Sequence, residues 1–304
     1  MRARADLNFA RLQNPIMPAS GCFGWGREYA RFFPLDVLGA AVTKAVTLNP
    51  RRGNPVPRLA ETPCGMLNSI GLQNNGLSVA LEKELPWLLE QQVPVIVNVA
   101  GSTLEEYVEV ARGFSGTKVT ALELNLSCPN VDKGGIAFGT DERAIATVVE
   151  AVAGCCNLPL IVKLTPNVTD ITVLARAAET AGASALTVSN TLRGMAMDIH
   201  KRRPLLANTF GGLSGPAIKP VALALVWQAS QAVSIPVIGC GGISSVEDVV
   251  EFLLAGASAV QAGTATFSQP LLLPGLVSGL EQWLEENNAT VKQLVGAAHL
   301  GRQQ

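Results

Sequence analysis

Short apolar runs rich in β-branched residues recur eight times along this 304-residue chain. Helix-like segments separate most of them, an alternation typical of parallel strands joined by crossover helices. We place the strands near residues 15–19, 40–47, 94–100, 121–127, 159–165, 185–190, 235–240 and 259–263. Helical periodicity covers residues 102–113, 141–153, 170–181, 216–232 and 245–255. Eight strands in this order predict one α/β domain over residues 1–304, folded as a (β/α)8 TIM barrel.

The connections between the strands differ in length and in chemistry. Residues 50–75 contain four prolines and are too long for a tight connection, so we predict a functional insertion on the rim of the barrel. Hydroxyl and carboxylate side chains predict where three of the helices begin. These positions are Ser102, Thr169 or Asp170, and Ser245.

Polar and small residues mark the strand ends. A barrel of this kind carries its functional residues at the carboxyl ends of its strands, in the loops that follow. They are, in chain order, Ser20, Lys44, Asn98, Asn125 with Cys128, Lys163, Ser189 to Thr191, Gly241 with Gly242, and Gly263 with Thr264. The glycines after strands seven and eight leave backbone N–H groups free to bind a phosphate, although a plain tight turn also uses glycines.

Two lysines and two asparagines interrupt apolar strands. An unpaired ammonium is costly to bury, so Lys44 and Lys163 need an explanation. Each could keep its charge near solvent or pair with Glu123. Alternatively, both are fixed cations over an anionic ligand. Asn98 and Asn125 indicate a ligand with several amide-like donors and acceptors.

Cys128 lies at the predicted exit of the fourth strand, before Pro129 and a glycine-rich loop that we expect to be mobile. A free cysteine is usually a small buried hydrophobe. At a polar rim, however, a thiol can give up a proton. Neither His200 nor His299 lies in a strand-end motif, which argues against a Cys–His pair and favours acid–base work by the cysteine alone.

Composition excludes several classes of protein. A formal net charge of -1 provides no electrostatic footprint for nucleic acid, and the basic cluster at residues 200–203 is short. No apolar stretch is long enough to span a bilayer, and the first residues lack a signal peptide's apolar run, so we expect a cytoplasmic protein. The six cysteines have no spacing for a disulfide framework, a metal site or an iron–sulfur cluster. Without a Gly-x-Gly-x-x-Gly motif there is also no evident seat for a nicotinamide cofactor.

Six motifs together resemble the dihydroorotate dehydrogenases over nearly the whole chain. They are PASGCFG at 18–24, GMLNSIGLQN at 65–74, NLSCPNV at 125–131, VKLTPNVTD at 162–170, GGLSGPAIKP at 211–220 and GCGGI at 239–243. Soluble members of that family use a cysteine as the base, whereas membrane-attached members use a serine. With Cys128 at this position, the chain resembles the soluble members. Residues 130–139 are similar to the NAD-linked, two-subunit class 1B.

This resemblance implies an FMN-dependent oxidation of (S)-dihydroorotate to orotate in pyrimidine (UMP) biosynthesis, with Cys128 as the catalytic base. By matching motif, FMN would be held by Ser20, Lys44, Ala45, Asn98, Asn125, Lys163, Ser189, Gly215, Gly241, Gly242, Gly263 and Thr264. The substrate would be held by Lys44, Asn68, Ser69, Ile70, Gly71, Leu72, Asn125, Asn190 and Thr191. Ser189 and Val46 depart from the family's commoner isoleucine and threonine, which affects the expected flavin contacts.

The resemblance also implies partners. Electrons would leave through a second subunit that carries FAD and a [2Fe–2S] cluster and reduces NAD, in a heterotetramer built on a homodimer of this chain. Three alternatives stay open: a fumarate-dependent homodimer, a related flavoenzyme acting on another pyrimidine, and a barrel that serves as a non-enzymatic binding module.

Overall fold

Eight parallel strands form one sheet that curves into a nearly closed barrel. The computed structural model describes residues 2–126 and 139–300. The barrel strands are β1 Ile16–Pro18, β2 Ala41–Val42, β3 Val95–Val99, β4 Ala121–Asn125, β5 Leu160–Leu164, β6 Ala185–Val188, β7 Val237–Cys240 and β8 Ala257–Ala262. Each strand from β2 to β8 pairs with the next in chain order, and β8 pairs with β1. The predicted TIM barrel is confirmed.

The seam of the barrel lies between β1 and β2, which form no ladder with each other. Just before β2, the N–H of Gly39 donates to the carbonyl oxygen of Ile16 at 2.9 Å. A Cβ atom on Gly39 would lie 2.1 Å from the carbonyl oxygen of Asn14. Only glycine therefore permits the close approach that brings the two ends of the sheet together.

Helices cover the outside of the barrel and bury apolar faces against the strands, as in helix α4, where Val148, Val149 and Val152 are fully buried. The helices are α1 Gly76–Val79, α2 Leu85–Glu90, α3 Leu104–Phe114, α4 Glu142–Ala153, α5 Ile171–Thr180, α6 Lys219–Ala232, α7 Val246–Leu254, α8 Leu272–Glu286, α9 Val291–Leu294 and α10 Ala297–Leu300. A π-helical turn at Ala80–Glu84 joins α1 to α2. Short 3₁₀ helices lie at Tyr29–Arg31, Leu35–Val37, Pro216–Ile218 and Thr264–Phe267.

The insertion forms a small sheet of its own with a distant part of the chain. Strands Leu59–Thr62 and Gly65–Asn68 make a hairpin, and Gly65–Asn68 pairs antiparallel with Gly211–Ser214. Leu192–Gly194 pairs with the other side of Gly211–Ser214. We call these four strands the rim sheet. It ties the insertion that follows β2 to the segment that follows β6, and Asn68 is the last residue of one of its strands. Two further strand pairs lie outside both sheets: Ala5–Asp6 with Arg11–Leu12, and Met197–Asp198 with Arg203–Pro204.

Several predicted boundaries are wrong. Strand β2 ends at Val42 rather than residue 47, and Val46 forms only a single bridge with Val99. Lys44 therefore lies beyond the strand, where its N–H donates to the carbonyl of Gly24. Strand β6 ends at residue 188 rather than 190. Helices α1, α2, α8, α9 and α10 are absent from the prediction.

The predicted helix starts are partly correct. Asp170, rather than Thr169, accepts from the backbone N–H of Thr172 and caps α5. Ser245 and Asp248 form a capping box at α7, as expected. Helix α3, however, is capped by Thr103 rather than Ser102. Among residues 2–126 and 139–300, no helix has both the length and the apolar character that a membrane crossing requires.

Candidate active site

Lys163 is the cation at the centre of the rim. It comes from β5, whose residues are all buried, and only 4% of its own surface is exposed. Its Nζ donates to Ser20 Oγ and to Gln261 Oε1, each at 3.2 Å. Glu123 Oε1 lies 3.8 Å away, so the expected pairing of a lysine with Glu123 is confirmed for Lys163. The structure thus joins two predicted cofactor residues, Ser20 and Lys163, by a direct hydrogen bond.

Glu123 is fully buried inside the barrel and accepts three hydrogen bonds. The donors are Asn98 Nδ2 at 2.7 Å, Thr187 Oγ1 at 2.7 Å and Gln261 Nε2 at 2.6 Å. Burial alone would raise the pKa of the Glu123 carboxyl, but Lys163 and these donors outweigh burial and hold that pKa below its ordinary value. The carboxylate is therefore ionised at neutral pH.

The ammonium of Lys163 stays protonated for a related reason. Burial alone would lower the pKa of Lys163, but the Cys240 sulfur, which accepts a hydrogen bond from Nζ, and the Glu123 carboxylate outweigh that effect and raise it. Burial also raises the pKa of the Cys240 thiol, whose Sγ lies 3.9 Å from Lys163 Nζ. Lys163 is consequently a permanent positive charge beneath the rim.

Asn125, Asn190 and Thr191 form a second connected group. Asn125 ends β4 and stands opposite Lys163 in the ladder of β4 and β5. Asn190 Nδ2 donates to Asn125 Oδ1 at 3.2 Å, and the backbone N–H of Thr191 donates to Asn190 Oδ1 at 2.8 Å. Asn68 of the rim sheet donates to the carbonyl of Gly212 at 3.3 Å. A Cβ on Gly212 would lie 2.0 Å from Thr191 Oγ1, so Asn68 and Thr191 approach the same stretch of backbone.

Lys44 supplies a second positive charge. It is partly buried, and its ammonium makes no hydrogen bond or ion pair with the part of the chain that the structure describes. Burial, and then the nearby Arg58 guanidinium, hold the pKa of Lys44 below its ordinary value. The next residue, Ala45, is buried. An anionic group would relieve the repulsion between Lys44 and Arg58.

The glycine-rich loops after β7 and β8 pack against other loops of the rim. Gly242 has φ +77°, and a Cβ there would lie 2.8 Å from the backbone nitrogen of Lys219, the first residue of α6. The N–H groups of Gly241 and Gly242 donate to no acceptor in residues 2–126 or 139–300. Thr264 Oγ1 donates to Ser214 Oγ at 2.8 Å, and a Cβ on Gly215 would lie 3.6 Å from the Thr264 methyl. Gly263 lies against Ala19 and Cys22.

Four predicted substrate residues belong to the insertion, where hydrogen bonds to Asn54 hold Ser69 and Ile70. Ser69 Oγ and its carbonyl accept from Asn54, and the carbonyl of Ile70 accepts from the N–H of Asn54. Gly71 and Leu72 follow in the same turn of the insertion. No hydrogen bond within the described ranges joins residues 69–72 to Lys163 or Asn125.

Three other predicted residues have distinct positions. Asn98 is wholly buried, and its Oδ1 has no hydrogen-bond partner within residues 2–126 and 139–300. Ser189 is also buried, and its hydroxyl donates to the carbonyl of Asn190 at 3.0 Å. Cys128 lies outside the described residues, as does most of the glycine-rich loop after it.

The sequence prediction missed Thr187 and Gln261 and did not count Glu123 among the site residues. Thr187 and Gln261 are polar residues inside apolar strands, the same signal that indicated Asn98. Asn167 was also missed. Its Nδ2 donates to the carbonyl of Thr191 at 3.1 Å, and its Oδ1 accepts from the N–H of Arg193 at 2.8 Å.

Comparison with known proteins agrees with the motifs. The model of one protein family, dihydroorotate dehydrogenase, matches residues 3–284. A protein of Anoxybacillus flavithermus named dihydroorotate dehydrogenase B (NAD(+)), catalytic subunit, is 57% identical, over 94% of this chain and 92% of its own length. Proteins of the same name from Geobacillus sp. strain WCH70 and Geotalea uraniireducens are 58% and 54% identical, over 94% of this chain and 91% and 95% of their own lengths. The resemblance seen in the motifs is thereby confirmed, and the chain belongs to the dihydroorotate dehydrogenase family.

Proposed function

We propose that this chain is the catalytic subunit of an NAD-linked dihydroorotate dehydrogenase, which oxidises (S)-dihydroorotate to orotate in pyrimidine biosynthesis. The observation that carries the proposal is that Lys163 with Ser20, and Asn125 with Asn190 and Thr191, meet at one rim of the barrel. Relatives that carry this name match 94% of the chain, which supports the same activity here.

The residues of the rim fit FMN, and the family is flavin-dependent. The buried Oδ1 of Asn98 has no donor within residues 2–126 and 139–300, and the imide of an isoalloxazine has an N–H group that could supply one. Lys163 provides a fixed cation for a ring that gains negative charge on reduction. The N–H groups of Gly241 and Gly242, which find no acceptor in the described part of the chain and lie beside the start of α6, suit a phosphate. We therefore assign FMN to the twelve residues predicted from the sequence.

The reaction removes a proton from C5 of dihydroorotate and a hydride from C6. The product has a double bond between C5 and C6. FMN, when bound, supplies the two-electron acceptor. We assign the proton to Cys128 Sγ, which follows Asn125 by three residues in the sequence. A free thiol has a pKa of ~8.5, so the rate should increase with pH as the thiolate forms.

The remaining side chains bind and orient the substrate. The proposed role of Lys44 is to attract the carboxylate of dihydroorotate, because its partly buried ammonium has no partner among the described residues. Asn125 and Asn190 are fixed by their mutual hydrogen bond, so their other amide atoms can meet the amide edges of the pyrimidine. Asn68 lies in the rim sheet and Thr191 directly precedes one of its strands, so both would cover the substrate on the side of that sheet.

Replacement of Cys128 by Ala tests the proposed base. We expect the variant to bind FMN and keep its yellow colour, but to lose at least ~100-fold in the rate at which dihydroorotate bleaches the flavin, because general-base catalysis is lost. Stopped-flow absorbance under anaerobic conditions measures this rate. If the flavin of the variant is bleached at the wild-type rate, Cys128 is excluded as the base. If the wild-type chain takes up no FMN, the proposed function itself is contradicted.

The electron acceptor needs a separate experiment. We propose a partner subunit, because the relatives are named catalytic subunits of NAD-linked enzymes. The resemblance to the two-subunit class implies that this partner carries FAD and a [2Fe–2S] cluster. The lone chain should then reduce fumarate poorly, whereas the chain purified with its partner should reduce NAD. Efficient fumarate reduction by the lone chain would favour the fumarate-dependent homodimer instead. Light scattering of the purified assembly tests the proposed heterotetramer.

A further inference from the structure

The buried hydrogen bonds around Glu123 have a fixed direction. An ionised carboxylate can only accept hydrogen bonds, so every neighbouring amide must turn its NH2 group towards it. Asn98 Nδ2 and Gln261 Nε2 both face Glu123, at 2.7 and 2.6 Å. The hydroxyl of Thr187 donates to it as well.

The orientation of these amides determines what they offer on their other side. Since Gln261 gives its NH2 group to Glu123, its Oε1 is left to accept from Lys163 Nζ at 3.2 Å. Since Asn98 gives its NH2 group to Glu123, its Oδ1 is the atom left buried and unpaired in the described part of the chain. One negative charge thus sets the direction of two amides.

We propose that Glu123 is a positioning residue, which fixes the donor and acceptor directions of this network and so determines that the rim offers FMN a cation at Lys163 and an acceptor at Asn98. This inference rests on the proposed function, because it takes FMN as the ligand. Glu123 acts through Lys163, Gln261 and Asn98 and does not itself touch the cofactor.

Glu123 is also the counter-charge that Lys163 depends on. The groups that face Lys163 Nζ are Glu123 from β4, Cys240 from β7, Gln261 from β8, and Ser20 with Cys22 from the loop after β1. Burial raises the pKa of both thiols, so both are neutral near pH 7. The carboxylate of Glu123 is therefore the negative charge in this set.

A purely structural role explains this arrangement poorly. Exchanging a buried ion pair for apolar residues of similar volume is often neutral or stabilising, whereas a buried charge that has lost its partner is strongly destabilising. The carboxylate of Glu123 is 0% exposed, and a buried charge of this kind does not make a barrel interior more stable than apolar packing would. An ion pair placed below a cofactor site, with its cation hydrogen-bonded to the rim residue Ser20, has a use there.

Glu123→Gln tests the inference, because it keeps the size of the side chain and removes the charge. A glutamine can donate as well as accept, so the amides of Asn98 and Gln261 lose their fixed direction, and Lys163 loses its counter-charge. We expect the Kd for FMN, measured by quenching of flavin fluorescence during titration of the apoprotein, to increase ~10-fold or more near neutral pH. The Kd of the variant should also rise with pH relative to that of the wild type, because without the carboxylate burial lowers the pKa of Lys163.

Two further variants make the result specific. Glu84→Gln is the matched control, since Glu84 pairs with Arg27 at 2.8 Å outside the site, and its Kd for FMN should equal that of the wild type. In the double variant Glu123→Gln/Lys163→Met, Lys163 can no longer titrate, so FMN should bind weakly and the added pH dependence should disappear. The double variant removes both buried charges together, which favours folding if Glu123→Gln alone does not fold.

The outcomes are distinct. A wild-type Kd in Glu123→Gln at every pH would overturn the inference. The inference would also be overturned if the pH dependence of the Kd that Glu123→Gln adds persisted in the double variant, or if a folded double variant bound FMN as tightly as the wild type. If the wild type binds FMN and dihydroorotate bleaches its flavin, while the variants bind FMN with the wild-type Kd, only the proposed role of Glu123 fails. If the wild type binds no FMN, the proposed function fails.

Discussion

Cys22 shows how the position of a single residue sets its chemistry. Its thiol lies near Lys163 and Lys44, which favour the thiolate, yet burial outweighs them and raises the pKa of Cys22 to about 12. Cys64, by contrast, is exposed. The two cysteines should therefore differ in reactivity although neither is in a disulfide.

Alkylation of the folded chain checks this difference. Near pH 8, only about one Cys22 side chain in ten thousand carries a thiolate, so iodoacetamide should label Cys64 long before Cys22. Labelling of Cys22 should increase with pH. Peptide mass spectrometry reports each site separately, and unfolding in guanidinium should make the two rates similar. Equal rates in the folded protein would contradict the raised pKa of Cys22.

Sequence reasoning reached some site residues and not others for a physical reason. Lys163 and Asn98 stand out locally, because a polar side chain inside an apolar strand requires a partner. The identity of that partner depends on the closed barrel. Gln261 lies 98 positions from Lys163 in the sequence and 138 from Glu123, yet it hydrogen-bonds to both. The sequence also left open whether a buried lysine pairs with Glu123 or faces a ligand at the rim. Lys163 pairs with Glu123 and also donates to the rim residue Ser20.

At the scale of the element, local signals predicted helix starts better than strand ends. Ser245 caps α7 as its sequence indicates. At α3, Ser102 and Thr103 both carry hydroxyls, and the structure uses Thr103 while the N–H of Ser102 donates to Glu106 at 2.6 Å. Strand β2 is shorter than its apolar run because the chain leaves the sheet to pair with Gly24. The segment at 76–90 has no side-chain cap and contains a π-helical turn, so its helical pattern is weak.

Ser245→Ala measures the capping box. The hydroxyl of Ser245 accepts from the N–H of Asp248 at 3.3 Å, and Asp248 Oδ2 accepts from the N–H of Ser245 at 3.0 Å. Loss of the hydroxyl should lower the free energy of unfolding by ~1 kcal/mol. Urea denaturation provides the value. Ser278→Ala is the control, because that exposed hydroxyl donates only to carbonyls of its own helix, and its effect should stay within ~0.5 kcal/mol. Equal losses in both variants would argue against the capping box.

At the scale of the whole molecule, the barrel was predictable and the rim sheet was not. The alternation of strands and helices is a local pattern, so it can be read along the chain. The rim sheet joins Gly65–Asn68 to Gly211–Ser214, and no local pattern indicates a pairing across that distance. The sequence therefore predicted an insertion at 50–75 without its partner strand.

Closure of the barrel depends on Gly39. An added Cβ would lie 2.1 Å from the carbonyl oxygen of Asn14, a backbone atom that cannot move without shifting β1. Gly39→Ala should lower the free energy of unfolding by about 1–3 kcal/mol or more. Gly275→Ala is the control. A Cβ there meets nothing within 4 Å, and Ala at this exposed position of α8 should increase the free energy of unfolding by up to ~1 kcal/mol. Chemical denaturation of both variants tests the pair, and a Gly39→Ala protein as stable as the wild type would refute this role.

The rim sheet also limits how this protein can change over evolution. Asn68 and Thr191 come from segments more than a hundred positions apart, yet the hydrogen bonds of one small sheet hold both segments in register. A residue inserted into or deleted from either segment would shift its strand and turn every following side chain to the opposite face. Viable length changes on one side should therefore arise together with compensating changes on the other, so that the two segments are inherited as a single unit.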